Sequence, residues 1–328
     1  MTPERLAIQV ETALAAADVD TATPVERAQM LMEIAMGLQQ RPKTPEHLSA
    51  AVELYDKALS LCPAAEPLLR ARITARKGTA LQALPEIGTA ALQAARAAFE
   101  EARPAIARAG QPVELAELEM NLGLALQGLA AAGLARLSDA IAAHQRALQV
   151  FDRARYPVEF AILQNNLATA FLSMPPSDEK ARLREAMAVQ AFEEALTAIN
   201  RIDHPSEYAM LQNNLGNALQ YASTSHGLHN NLRALEAYDE ALKVRRPETM
   251  PLEYANTTAN KANCLCNLPD DPAAPDDGNR GNLAQARTLY AEAQRIFAAH
   301  GDVDKAEIVG AALADIDRDL ALQPAGRS

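Results

Sequence analysis

Asparagine, a side chain that donates and accepts hydrogen bonds at once, recurs at regular places in this 328-residue sequence. It is doubled in Leu163-Gln164-Asn165-Asn166-Leu167 and in Leu211-Gln212-Asn213-Asn214-Leu215, single in Met120-Asn121-Leu122, and drifted in Ala259-Asn260-Lys261. On a helix, positions i, i+4, i+7 and i+11 share a face. That spacing puts Asn256, Asn260, Asn263 and Asn267 in one stripe, and Met210, Asn214, Asn217 and Tyr221 in the stripe before it. Further back the same arithmetic gives Ile162, Asn166, Thr169 and Ser173, then Glu117, Asn121, Leu124 and Gly128. Asn121, Asn166, Asn214 and Asn260 thus form a row running from helix to helix. Asparagine is a poor helix former, and four in one helix cost about 2 kcal/mol relative to alanine. A merely solvated face would use Glu, Lys or Gln. Two uses for the row are open. The amides can pair with the C=O and N–H groups of a bound main chain, whatever its side chains. Alternatively they tie adjacent helices together or cap loop carbonyls.

Charge is concentrated at one other place on the same face. Arg70, Arg72, Arg76 and Lys77 crowd a single helix, and Arg72 and Arg76 are i,i+4 neighbours in the stripe that precedes Asn121. A planar guanidinium suits a carboxylate, either a partner's or an internal one such as Glu33. Metal and catalytic chemistry find less support. His226-Gly227-Leu228-His229 reads as a loop and Cys264-Leu265-Cys266 as helix, where i,i+2 side chains diverge. No phosphate-binding glycine loop, His-Glu-x-x-His or nucleophile elbow occurs, so neither a cofactor nor an enzyme is expected. His144 stands where its sister segments carry a ring, which suits a packed histidine.

These residues need helices to position them, and the chain marks where those helices begin. Pro24, Pro67, Pro112, Pro157, Pro205 and Pro251 follow one another at intervals of 43, 45, 45, 48 and 46 residues. Proline at the first helical position loses no hydrogen bond. Two residues on, Glu26, Glu114, Glu159, Glu207 and Glu253 place a carboxylate at the positive end of the helix dipole, with Leu69 the exception. A second helix follows in each unit. It carries a ring and, three residues later, alanine: Tyr55/Ala58, Phe99/Ala102, His144/Ala147, Phe192/Ala195, Tyr238/Ala241 and Tyr290/Ala293. A column that accepts only alanine implies close helix contact. Residues 3–17 and 302–321 read as flanking helices. In the latter, Val303, Ile308, Val309, Leu313, Ile316 and Leu320 are expected to face inward as a terminal cap. Pro269 to Gly281 reads as a mobile loop, and residues from Gln323 as a frayed tail.

Composition agrees with an all-helical chain. Hydrophobic residues make up 49 %, but aromatics only 4 %, with no Trp, so the core must be built from Ala and Leu. The net charge of −11 is spread along the chain, which argues against nucleic acid as a partner. No apolar run is long enough to span a membrane, and the N-terminus does not read as a signal peptide. Three cysteines make no disulfide framework, which fits a reducing, cytoplasmic setting.

Paired helices, Leu-Gly or Leu-Ala in the first and Ala-x-x-x-ring-x-x-Ala in the second, resemble the tetratricopeptide repeat (TPR). Ala51, Tyr55 and Ala58 followed by Pro63 match the second-helix pattern in full. The Asn-Asn-Leu-Gly-Asn-Ala form at 213–218 is particularly similar to bacterial TPR arrays. The resemblance implies a right-handed all-α superhelix, one α-solenoid domain over 1–328, with six helix pairs over 24–300. It further implies that first helices line a concave groove holding an extended protein segment. Asn121, Asn166, Asn214, Asn217, Tyr221, Asn256, Asn260, Asn263 and Asn267 would then act as an asparagine ladder. Arg72 and Arg76 would stand at the cationic positions of a carboxylate clamp, although Met32 and Glu33 occupy places where that clamp has Lys and Asn. The expected function is a non-enzymatic adaptor or assembly factor. A peptide-responsive regulator, or a metal-handling accessory protein, is the alternative. Oligomeric state is left open.

Overall fold

A computed structural model describes residues 3–19, 22–85, 88–175, 180–222 and 227–322. The described residues form helices and no strand. In chain order these are α1 (Pro3–Ala17), α2 (Pro24–Gln40), α3 (Pro45–Leu61), α4 (Pro67–Gln82), α5 (Ala90–Ala109), α6 (Pro112–Ala131) and α7 (Leu137–Leu148). They continue as α8 (Pro157–Leu172), α9 (Ala181–Ala198), α10 (Pro205–Gln220), α11 (Gly227–Leu242), α12 (Pro251–Cys266), α13 (Arg280–Ala299) and α14 (Val303–Leu322). Contacts divide the chain into two compact units, residues 1–152 and 153–328. In the first, α2 packs with α3, α4 with α5 and α6 with α7, while α1 lies on α2 and α3. In the second the pairs are α8/α9, α10/α11 and α12/α13, with α14 on α13. Repeated helix pairs are what the tetratricopeptide resemblance implies.

Each first helix opens on its proline. At α2 the cap is reciprocal: Thr23 Oγ1 accepts from Glu26 N–H at 3.3 Å and Glu26 Oε2 accepts from Thr23 N–H at 2.8 Å. The alanine column is buried throughout, Ala58, Ala102, Ala147, Ala195, Ala241 and Ala293 each being at most 1 % exposed. A small residue stands eleven after each opening proline, and where it is glycine the neighbouring ring comes close. A β-carbon on Gly78 would lie 2.9 Å from the Phe99 ring, one on Gly216 2.6 Å from Tyr238, and one on Gly123 closer still to His144. The sister positions Ala35, Ala168 and Ala262 are fully buried alanines. At Gly78, Gly123 and Gly216 the ring therefore seats in a notch that only glycine leaves open.

One expectation for the C-terminal region changes. Val309 and Ile316 of α14 are buried, but Val303 and Ile308 are 59 % and 70 % exposed. Val309, Leu313, Ile316 and Leu320 keep the i, i+4, i+7, i+11 spacing, and Ile308 stands one residue, about 100°, off that stripe. The Pro269–Gly281 stretch holds a 3-10 turn at Pro275–Asp277 and is stitched to its surroundings. The Asp270 carboxylate accepts from Gly281 and Asn282 N–H at 2.8 and 2.7 Å, capping α13 from a distance. The tail from Gln323 lies outside the described residues.

The polar face of the first helices

In residues 1–152 the face is knitted by charge. Arg72 on α4 donates through Nε to Glu114 Oε1 at 2.8 Å and through a terminal nitrogen to Glu114 Oε2 at 3.1 Å, a two-pronged pair with α6. One turn on, Arg76 reaches Glu117 of α6 at 3.4 Å. Glu114 also accepts from Gln111 N–H at 2.8 Å, so it caps its own helix while holding the neighbouring one. Burial pushes its carboxyl up, but hydrogen bonds from Arg72 and Gln111 and the charges of Arg72 and Arg76 outweigh that and hold it below the usual range. The internal partners of Arg72 and Arg76 are thus Glu114 and Glu117, about one repeat downstream, rather than Glu33. Asn121 is half-buried beside them. Its main-chain oxygen accepts from Gln82 at 3.2 Å, while its side-chain amide makes no hydrogen bond among the described residues.

In residues 153–328 the face is knitted by amides, and the doubled asparagine explains how. The first Asn of each doublet accepts from the row Asn of the next first helix. Asn214 Nδ2 donates to Asn165 Oδ1 at 2.9 Å, and Asn260 Nδ2 to Asn213 Oδ1 at 3.2 Å. Within each doublet the first Asn passes its own N–H to the second, Asn165 to Asn166 and Asn213 to Asn214, both at 3.3 Å. The result is a head-to-tail line from Asn260 through Asn213, Asn214 and Asn165 to Asn166. Thr257 joins it at Asn213 Oδ1 (3.1 Å), and the buried Arg245 donates to Thr257 Oγ1 at 2.6 Å. Of the row predicted from sequence, Asn214 and Asn260 donate to the preceding first helix, but to Asn165 and Asn213 rather than to Asn166 and Asn214. The accepting partners, Asn165 and Asn213, lie outside the predicted ladder. Their signal was the doubling itself.

The stripe on α12 is oriented differently. Asn256 donates to Leu252 O at 2.9 Å, Asn263 to the Tyr221 hydroxyl at 2.8 Å and Asn267 to Asn263 O at 2.8 Å. With Asn260, each of the four nitrogens is anchored by one bond, and none of the four side-chain oxygens accepts a bond among the described residues. On α10, Asn217 accepts from the buried Tyr238 hydroxyl at 2.7 Å, and Tyr221 is 67 % exposed.

Two hollows flank the Tyr221–Asn263 bond. One is mainly apolar, formed by Phe171, Leu172, Met174, Ala218 and Tyr221, with Asn217 and the charged Arg184 and Glu185 also in its lining. The other, between α12, α13 and α14, has Leu283, Tyr290 and Ile316 as apolar lining beneath Asn263, Asn267, Asp315 and Asp319. Cys266 also lines it, whereas Cys264 is buried, donates to Asn231 O at 3.2 Å and has its thiol pushed up to about 12 by burial. Among the described residues no three His, Cys, Asp or Glu side chains are grouped to hold a metal ion, and His226 lies outside those residues. No described helix is long and apolar enough to cross a membrane.

No family model matches the sequence, and no curated protein matches it. Among solved structures, the chain is similar to the TPR2AB domain of yeast Sti1 in its complex with pHSP90, at 17 % identity and a TM-score of 0.28, covering 89 % of this chain and 99 % of that one. It is also similar to a Rap protein complexed with competence and sporulation factor, at 11 % identity and a TM-score of 0.39, covering 97 % and 99 %.

Proposed function

We propose that the first-helix face of residues 153–328 binds an extended segment of a partner protein, and that the chain is a non-enzymatic adaptor or assembly factor. The observation that carries this reading is the α12 stripe. Its amide nitrogens are each fixed by one bond, so the four oxygens of Asn256, Asn260, Asn263 and Asn267 are presented as pre-oriented acceptors. None of these oxygens is buried without a partner, so water meets them in the free protein and a bound main chain can replace it. Pre-orientation lowers the entropy lost on binding. Adjacent first helices about 10 Å apart would meet an extended chain at about every third residue.

The same geometry separates two roles within the predicted ladder. Asn165, Asn213, Asn214 and Asn260 link helices, and binding uses whatever capacity they retain. Asn256 and Asn267 bond only within their own helix and are the better probes of binding. A phage-displayed random dodecapeptide library panned on the full chain tests this. Enriched peptides should bind less well to an Asn256→Ala/Asn267→Ala variant whose melting temperature is unchanged or raised. Failure to enrich any sequence, or binding indifferent to both substitutions, would remove the groove reading.

A further inference from the structure

We propose that the segment bound on this face is basic, with a lysine or arginine side chain in the hollow between α12 and α14 and an apolar side chain in the hollow beside Tyr221. The inference deepens the groove reading and rests on it. The first hollow has the anatomy that a long cationic side chain needs. Leu283, Ile316 and the Tyr290 ring offer an apolar bed for its methylene stem. Asp315 and Asp319 also line it, with carboxylates that accept, as do Asn263 and Asn267, whose side-chain nitrogens are already engaged and whose oxygens accept no bond among the described residues. No lysine or arginine lines it. Asp315 meets Arg318 of its own helix, an exposed pair three residues apart that a bound cation can displace. Asp319 has no ion-pair partner among the described residues, so its charge faces the hollow unneutralised.

Charge complementarity decides the occupant. A carboxylate or phosphate would meet two negative groups and amide oxygens, whereas a guanidinium or ammonium would meet only acceptors. The neighbouring hollow sets a second requirement. Tyr221 and Asn263 touch at 2.8 Å and line different hollows, so the two sites adjoin. Two first helices, α10 and α12, lie between them, about 20 Å, or about six residues of extended chain. The recognised pattern is therefore a large apolar residue with Lys or Arg about six positions away.

The dodecapeptides enriched by panning on the full chain supply the probe. One is synthesised with a fluorescent label, together with a copy in which its basic residue is alanine, and both are titrated against wild type and against Asp315→Asn/Asp319→Asn. Enriched sequences should pair Leu, Ile, Met, Phe or Tyr with Lys or Arg about five to seven residues away. Loss of the basic residue should weaken wild-type binding about tenfold, and the Asp variant should bind the two peptides alike. Leu172→Ser should relax the apolar preference and leave the basic one, since Leu172 lines only the apolar hollow. Location is read separately: the peptide should slow iodoacetamide alkylation of Cys266, since Cys62 and Cys264 are buried. Enriched peptides that are acidic or lack a basic residue, an unaltered preference in the Asp variant, or unprotected Cys266 would each overturn this inference while leaving the groove reading intact. Self-association of the chain that the Asp substitutions abolish would assign the face to a second copy and overturn it too. If no peptide is enriched, the groove reading fails and this inference with it.

Discussion

The Nε2 of His144 donates to Oε1 of Gln127 at 2.9 Å, with the imidazole seated over Gly123. The pair has counterparts in Tyr55–Gln39 at 2.8 Å and Tyr238–Gln220 at 2.9 Å. In each case the glutamine stands fifteen residues after the opening proline, one turn beyond the small residue on which the ring sits. The histidine has therefore taken over a tyrosine's place and its hydrogen bond. Its Nδ1 is buried without a partner.

That position makes stability depend on pH. Burial lowers the His144 pKa from 6.5 to about 4, so the unfolded chain binds the extra proton first as pH falls. The stabilisation is complete above pH 6.5 and is lost progressively between 6.5 and 4, amounting to about 3 kcal/mol. Urea titrations across that range should show the decline in wild type and a flatter profile in His144→Tyr. Parallel profiles would mean that another group governs it.

Glycines on the first helices should separate cleanly. A β-carbon at Gly216 would strike the Tyr238 ring, so Gly216→Ala should cost about 1–3 kcal/mol. Gly37, also within a helix, has nothing within 4 Å of the same hypothetical atom, and Gly37→Ala should stabilise by about 0.5–1 kcal/mol. Differential scanning calorimetry of the two variants should give melting shifts of opposite sign.

Glu119 is 2 % exposed and held by two arginines, Arg103 of α5 at 2.6 Å and Arg146 of α7 at 2.7 Å. Its removal strands two guanidinium groups that are themselves partly solvated. Glu119→Gln should then cost about 1–3 kcal/mol, and Arg103→Ala or Arg146→Ala less, because the carboxylate keeps one partner. Denaturant midpoints for the three variants check the order.

Asn213 accepts from Thr257 and Asn260 and donates to Asn214. Asn213→Ala should lower the melting temperature, by about 1–3 kcal/mol of stability, by leaving buried groups without partners. Asn256, bonded only to Leu252 O of its own helix, should melt at or above wild type as alanine, which favours helix by about 0.5 kcal/mol. Equal shifts would mean that the two asparagines do the same job.

The helix pairs were legible in the sequence because their signals are local: a proline, a glutamate two residues on, and ring and alanine at a fixed spacing. The row of amides was legible for the same reason, since i, i+4, i+7 and i+11 are geometry within one helix. What a single helix cannot reveal is which residue of its neighbour it meets. That depends on the stagger between helices, which lets Asn165 rather than Asn166 receive Asn214 and turns Arg72 toward Glu114. Ile308 misled by being apolar beside the buried stripe, where one residue of rotation separates core from solvent.

The amide line also bears on how residues 153–328 come apart. A stack held only by contacts between adjoining surfaces can fray from its ends, one pair at a time. Here each link makes the orientation of one asparagine a condition for the next, so loosening α12 withdraws a donor from Asn213 and leaves the line through Asn214 to Asn165 unanchored. The three first helices α8, α10 and α12 should accordingly open as a single cooperative block. Their main-chain amides should exchange with deuterium at one common free energy, with Asn213→Ala splitting that value in two.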